Sequence, residues 1–376
     1  MSAKESGPLG YGLVGCGEFG LFCLEQYGAM TEIRRVALAD LDRERAERAA
    51  ERFGLAACAS VEELLARPDV DLVHIATPPA MHLDLVTAAL RAGKHVLVEK
   101  PLAATMDQAH EMAFEAQRAG RVLAVNLVMR YDPLCAAVKK LVDEELLGEP
   151  LHAYFENYAK DEPLPPEHWF WDPEKSGGIF VEHGVHFFDL FSWWLGSGQV
   201  AASREVKRPG SGVVEAACCT ALYGRVPVNF YHGFHQPERM DRQEMRLLFE
   251  RGDVTLREWV PTGARIDCLA DRATLERLAA LLPGSETSAL AEYSGEERLC
   301  SGRHKRLEAD GRYQVRLSTG MSKDELYGHV LRELMADQVA AARDPNHRRR
   351  VTETDGVNSL HMAVEATMLA RGGYSP

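Results

Sequence analysis

No apolar stretch in this chain is long enough to cross a bilayer, and the first ten residues, MSAKESGPLG, lack the apolar centre of a secretory signal. No membrane partner is therefore expected. The eight cysteines, at positions 16, 23, 58, 135, 218, 219, 268 and 300, form no CxxC pair and follow no regular spacing. That excludes a disulfide-stapled scaffold, and reduced thiols in a cytoplasmic protein are the expectation. Basic residues are in deficit: 43 Lys and Arg face 56 Asp and Glu, for a net charge of −13. A surface this acidic repels polyanions, so no nucleic-acid partner is expected. The densest basic run, His347-Arg348-Arg349-Arg350, is soon followed by Glu353 and Asp355 and reads as a solvated turn. Metal-site patterns are missing as well. There is no HExxH and no Cys/His ligand set around His183/His186 or His232/His235, and on a strand a spacing of three sends the second pair to opposite faces. No metal is expected, and neither an internal repeat nor a low-complexity tract is present.

What remains is an ordinary globular composition, 46% hydrophobic and 26% charged, on a chain of 376 residues, long enough for two domains with sizeable cores. Its organising stretch is Tyr11 to Asp40. An apolar run breaks into Gly15-Cys16-Gly17-Glu18-Phe19-Gly20, continues as a helix-compatible segment to about Met30, and returns as Val36-Ala37-Leu38-Ala39 before Asp40. Strand, glycine turn, helix, strand and acid in that order are the elements of a dinucleotide site. Gly15 allows the tight turn, Gly17 lets backbone approach a pyrophosphate, and Gly20 lets the helix pack on the strand. Glu18 and Phe19 fill the variable positions, Phe19 with the plainer alternative of capping the helix. The helix's first amides point at phosphate. Asp40 is placed to accept hydrogen bonds from both adenosine ribose hydroxyls and to repel a 2′-phosphate, which favours NAD over NADP.

Further along, strands at 71–76, 95–98 and 122–125 alternate with helices at 41–55, 61–66, 80–92 and 107–119, so a doubly wound parallel sheet is expected over residues 1–129. Beyond residue 130 the style changes. A helix at 132–147, a strand at 150–158, a Pro- and Trp-rich loop at 161–175 and an apolar helix at about 179–195 precede short strands from 200 to 259, which imply a mostly antiparallel sheet. Residues 261–320 are polar and poorly periodic, with a helix possible only at 274–282. Two closing helices, about 323–343 and 353–371, complete a second α/β domain over 130–376.

Taken together, GLVGCGEFG, ALAD, HIATPPAMH, VEKPLA, NLVMRYDP and SGGIFVEHGVHFFDL resemble the glucose-fructose oxidoreductase/inositol dehydrogenase family, in that family's order over residues 11–189. The resemblance implies a Rossmann domain followed by an α/β domain with a large open sheet, a nicotinamide cofactor at their junction, and hydride transfer at a hydroxyl-bearing carbon of a sugar or cyclitol. It places Lys100, with Glu99 in the EKP motif, at the reacting hydroxyl and the nicotinamide ribose. Independently, a lysine just past the carboxyl end of a parallel strand stands beside the crevice where open α/β sheets bind ligands. It gives His186 the acid/base role, contributed from the other domain, since neutral imidazole can take a proton as hydride leaves the same carbon. Thr77, Pro78 and His82 match the family's loop near the nicotinamide; Thr77 reads equally as turn chemistry ahead of a helix.

Other positions stay open between two readings. Glu182 stands where the family usually has Asp, and on an α-helix would share a face with His186 and Asp189, either orienting the imidazole or binding a substrate hydroxyl. His183 is either a substrate contact or structural. Asn126 and Arg130 follow the fifth long strand on the substrate side, Arg130 binding a polyol, pairing with Glu182, or bridging domains. Trp169 and Trp171 form a sugar platform or a packed loop, and Tyr158 is a weaker candidate of the same kind. The expected activity is an NAD-dependent sugar, glycoside or cyclitol dehydrogenase. An NAD-dependent glycosidase working by transient oxidation and elimination, and a non-catalytic NAD sensor, are the rivals. A homodimer or homotetramer through the second domain's sheet is expected, because an open face would expose apolar strands.

Overall fold

The computed structural model describes residues 7–161, 168–302 and 305–372. Apolar runs too short for helices become β1 (Leu9–Val14), β2 (Ile33–Ala39), β3 (Ala56–Ala57), β4 (Leu72–Ile75), β5 (His95–Val98) and β6 (Leu123–Val125). They pair in parallel in the order β3-β2-β1-β4-β5-β6. Strand order reverses between β1 and β4, and the crevice outside the strands' carboxyl ends at such a reversal is where doubly wound sheets bind ligands.

Between the strands run α1 (Glu18–Gln26), α2 (Arg43–Phe53), α3 (Val61–Ala66), α4 (His82–Arg91) and α5 (Met106–Ala119). Local chemistry sets their ends. Asp42, Ser60 and Thr105 accept from the amides of Arg45, Glu63 and Gln108, and Gly54 and Gly120 close α2 and α5 in the left-handed conformation.

The second half holds α6 (Pro133–Asp143), β7 (Pro150–Lys160), α7 (Pro173–Ser176), α8 (Val185–Leu195), β8 (Gly198–Lys207), β9 (Val214–Tyr223), β10 (Val226–Gln236), β11 (Arg242–Phe249), β12 (Gly252–Arg257) and β13 (Gly263–Ala270). It continues with α9 (Arg272–Leu281), β14 (Glu286–Glu292), β15 (Leu299–Ser301), β16 (Arg306–Glu308), β17 (Gly311–Ser318), α10 (Lys323–Arg343) and α11 (Glu353–Ala370). Nine strands form one sheet, β14-β17-β13-β12-β11-β7-β10-β9-β8, antiparallel except for β7 and β10. One face buries Phe155, Phe230, Met245, Leu247, Leu256 and Ile266. Phe191 meets Phe230 edge-on at 5.2 Å, and the Trp194 indole donates to the Cys135 carbonyl.

The opposite face corrects an expectation, for it is polar. A row of register partners across β7, β11, β12, β13 and β17 reads Tyr154, Arg246, Thr255, Arg265, Arg316. Arg246 grips Asp253 at 2.8 and 2.9 Å, and Arg265 lies 2.9 Å from Asp267. Ion pairs, one across β11 and β12 and one along β13, cover this face, so it does not depend on a partner to hide apolar side chains.

Contacts divide the described residues into two compact units. Residues 7–131, 168–189 and 328–364 form the first, and the rest form the second. The division is therefore interleaved and not a single cut near residue 130. Side chains explain why: Arg332 of α10 donates to Gln26, and Gly356 lies so close to β6 that a Cβ there would stand 2.5 Å from Val125. Among the described residues no helix is long and apolar enough to cross a membrane, and all eight cysteines carry free thiols.

Candidate active site

The glycine turn after β1 is built as its spacing requires. Gly15 has φ +96°, and a Cβ there would stand 2.3 Å from the Ala76 carbonyl oxygen. A Cβ at Gly20 would stand 2.3 Å from the Gly15 oxygen, so α1 can lie against the turn only because that residue is glycine. Gly17 differs. It is extended, it is the N-cap of α1, and a Cβ there would meet nothing within 4 Å. This space at a helix N-terminus fits a pyrophosphate. Asp40 spans the turn and the head of α2, accepting from the Cys16 amide at 2.7 Å and the Asp42 amide at 2.8 Å, with the Arg45 guanidinium 3.7 Å away. Two amides leave a carboxylate further lone pairs for hydroxyls.

At the end of β5, Lys100 precedes Pro101 across a cis peptide bond. Its ammonium donates to Glu182 twice, to Oε1 at 2.5 Å and to the backbone oxygen at 2.9 Å. One of its three donors is left for another oxygen. Glu182 sits in a π-helical turn, Phe180–Gly184, that runs directly into α8. The α-helical spacing assumed for Glu182, His186 and Asp189 therefore does not hold across this turn. Glu182 faces Lys100, whereas Asp189 faces Arg130.

His186 is buried, and burial first, then Lys100 and His183, hold its pKa far below the ordinary imidazole value. Half-buried His183 is pushed down to about 3 by burial and by Lys100. Both imidazoles are therefore neutral at neutral pH, next to a lysine close enough to act on both. Lys100 and His186, expected from separate domains, belong to the same compact unit.

Several expected site residues have other work. Arg130 is corrected: its guanidinium forms a bidentate pair with Asp189 at 2.6 and 2.9 Å, reaches Asp355 at 2.9 Å and donates to the Arg350 carbonyl. Buried, its guanidinium is held by two carboxylates, one on α8 and one on α11. His82 is buried and lies between carbonyls, Thr77 at 2.9 Å on one side and Pro101 and Leu102 at 3.0 and 3.2 Å on the other. It ties the loop after β4 to the loop after β5. Pro78 starts the turn that leads into α4.

Glu99 is buried and accepts from His74 and from the Asn126 amide, both at 2.8 Å. Two buried polar atoms at these strand ends, Thr77 Oγ1 and Asn126 Oδ1, have no hydrogen-bond partner among the described residues. Buried polar atoms are normally satisfied, by protein groups, ordered water or a ligand, which marks both as candidate contacts.

Trp169 and Trp171 flank Phe170 in one helical turn just before α7, half-buried, with Phe170 and Trp171 edge-on at 4.7 Å. The preceding residues 162–167 lie outside those described. Tyr158 belongs to the second unit, where Tyr231 packs at 5.4 Å and Arg242 lies over its ring. As expected for a strand, His232 is buried and His235 exposed.

Two open cavities of about 600 and 540 Å³ lie on the nine-stranded sheet, lined among others by Arg257, Arg265 and Arg316 and by Glu156, Thr220 and Tyr231. No candidate residue lines either of them. Cavity size and chemistry disagree here, and the lysine, acid and imidazoles at a strand end are the stronger indication. Sequence reasoning missed His74, Tyr11 and Cys23. A histidine inside the apolar strand DLVHIA was the available signal. Cys23, His74 and Glu99 lie within 4.8 Å of one another, but His74 Nε2 and Glu99 Oε1 are at hydrogen-bond distance.

Comparison with known proteins agrees with this architecture. Residues 9–127 match the model of an oxidoreductase family with an NAD-binding Rossmann fold, and residues 135–255 match the Gfo/Idh/MocA C-terminal domain. A 1,5-anhydro-D-fructose reductase of Ensifer adhaerens is 39% identical over 139 residues, 36% of this chain and 41% of that protein. A dTDP-3,4-didehydro-2,6-dideoxy-alpha-D-glucose 3-reductase of Saccharopolyspora spinosa is 32% identical over 263 residues, 67% of this chain and 77% of that protein. The chain spans about half the length of most of the curated relatives it matches, 41%, 54% and 54% for three of them. A levoglucosan dehydrogenase in complex with NADH and L-sorbose shares the fold with TM-score 0.77 at 18% identity, over 98% of both chains. The glycine turn, the lysine at the end of β5 and the two matched domains together show that the chain belongs to the glucose-fructose oxidoreductase/inositol dehydrogenase family of NAD(P)-binding oxidoreductases.

Proposed function

We propose that this protein is an NAD-dependent dehydrogenase of a sugar, glycoside or cyclitol. The observation that carries the reading is the Lys100–Glu182 pair beside a neutral His186, just past the carboxyl end of β5. Residues 1–129 would hold the dinucleotide: Gly15, Gly17, Glu18, Phe19 and Gly20 around the pyrophosphate, Asp40 at the adenosine ribose, and Thr77 and Asn126 near the ring end. When bound, the nicotinamide supplies the acceptor for the hydride. His186 takes the hydroxyl proton on an imidazole nitrogen that burial keeps deprotonated. Lys100 donates to the same oxygen as negative charge develops on it. Glu182 holds that ammonium in place and balances its charge, and His183, Trp169 and Trp171 would border the substrate.

Asp40 favours NAD because a 2′-phosphate would meet a carboxylate already fixed by two amides. Relatives that carry reductase and dehydrogenase names support this reading over the glycosidase and sensor alternatives. A homodimer or homotetramer through the second domain's sheet would have to join polar faces rather than hide apolar ones, and light scattering would test it.

The deciding experiment follows absorbance at 340 nm with NAD and a panel of polyols, sugars and glycosides. At least one compound should yield reduced cofactor, and His186→Ala should abolish most of the rate. No reduced cofactor with any compound, or an unchanged rate in the variant, overturns the proposal.

A further inference from the structure

Four adjacent strands of the parallel sheet each contribute one polar side chain to a buried line. Tyr11 lies on β1, His74 on β4, Glu99 just after β5 and Asn126 just after β6. Tyr11 Oη is 2.9 Å from His74 Nδ1, His74 Nε2 is 2.8 Å from Glu99 Oε1, and the Asn126 amide donates to the same Oε1 at 2.8 Å. Tyr11 and His74 are fully buried, Asn126 is 2% exposed and Glu99 8%. Such a line is costly to bury unless every donor meets an acceptor.

In an arrangement of protons that satisfies it, Tyr11 donates to Nδ1, Nε2–H donates to the Glu99 carboxylate, and the Asn126 N–H₂ donates to that carboxylate as well. The direction of every bond then follows, and the amide of Asn126 cannot flip without turning its oxygen onto the carboxylate. The line consequently ends at Asn126 Oδ1, the acceptor that is buried without a donor.

We infer that Tyr11, His74 and Glu99 are positioning residues that hold Asn126 Oδ1 as an acceptor for the carboxamide N–H₂ of a bound nicotinamide dinucleotide. The inference rests on the cofactor reading above and goes beyond it, since it assigns an output to three core residues. It explains why an otherwise apolar strand carries His74. It also explains why Glu99, beside Lys100, points into the core and not toward solvent.

The test compares calorimetric affinities for NAD and for 3-acetylpyridine adenine dinucleotide, whose ring bears an acetyl group in place of the carboxamide. The full-length protein should prefer NAD by about three- to tenfold, the range of one neutral hydrogen bond. Asn126→Leu should bring the ratio close to one, and His74→Phe should lower it. Glu99→Gln should keep most of it, because an amide oxygen still accepts from Asn126. Tyr11→Phe, which removes only a hydroxyl, serves if His74→Phe does not fold, and should lower the ratio by a smaller factor. A ratio unchanged in Asn126→Leu, or unchanged in both His74→Phe and Tyr11→Phe with NAD still bound, overturns the inference. Failure of the wild-type protein to bind any nicotinamide dinucleotide would instead overturn the cofactor reading.

Discussion

The glycine turn allows a substitution that separates folding from binding. At Gly17 the backbone is extended, φ −69° and ψ 173°, and an added Cβ meets no heavy atom within 4 Å, so alanine fits without strain. The cost to the fold is that of alanine in place of glycine at a helix N-cap, at most about 1 kcal/mol. The cost to binding is larger, because the methyl group fills the space into which a pyrophosphate must come to reach the first amides of α1. A tenfold to hundredfold loss of affinity is expected, about 1.4 to 2.8 kcal/mol. Thermal melts read both effects. At a dinucleotide concentration about 100 times the wild-type Kd, ligand stabilises the wild type by about 2.7 kcal/mol, and the variant by only about 0.4 to 1.4 kcal/mol. Gly20→Ala is the control. Its Cβ would lie 2.3 Å from the Gly15 oxygen, so it should lower stability without any ligand present. If Gly17→Ala melts like the wild type and gains the full ligand shift, no dinucleotide approaches this turn and the reasoning fails.

Other outcomes follow from the same geometry. Lys100→Met should lower kcat by about 10²- to 10³-fold while leaving NAD binding within a small factor, as steady-state kinetics and titration would show. Asp40→Ser should raise the affinity for NADP about tenfold by removing a carboxylate from the ribose end, measured by competition binding. Arg130→Met should destabilise the protein by about 3 to 5 kcal/mol in urea, because it strands Asp189 and Asp355 without their cation. Burial pushes the Asp132 carboxyl up to about 7, although it caps the amides of Leu134 and Cys135. The unfolded chain loses that proton near pH 4 and the folded chain near pH 7, so stability falls as pH rises between the two. Asp132→Asn keeps the cap and should flatten this slope, gaining on the wild type at pH 8 and converging with it below about pH 4 in urea melts.

The first half of the fold was legible because its signals are local. Apolar runs, N-caps such as Asp42 and terminating glycines such as Gly54 lie within a few residues of what they control. The stretch 261–320 was not. β14 is almost wholly exposed, so no burial period is written along it, and β13 and β17 find each other only in three dimensions, Ala264 opposite Leu317. Site residues divide in the same way. Lys100 and His186 were marked by motifs, whereas the partners of Arg130 come from α8 and α11, far along the sequence. The π-helical turn at Phe180–Gly184 leaves no pattern in composition, and so the pairing of Glu182 with Lys100 was not foreseen.

The interleaving of the two compact units limits how this protein can be cut or recombined. A fragment ending near residue 130 would carry the whole parallel sheet but would leave Lys100 without Glu182, and β6 without the helix that covers it at Gly356. Exchange with a relative at a single junction would pair each half with foreign counterparts in both places. New specificity in such a chain is therefore easier to reach by point changes around the lysine than by swapping modules.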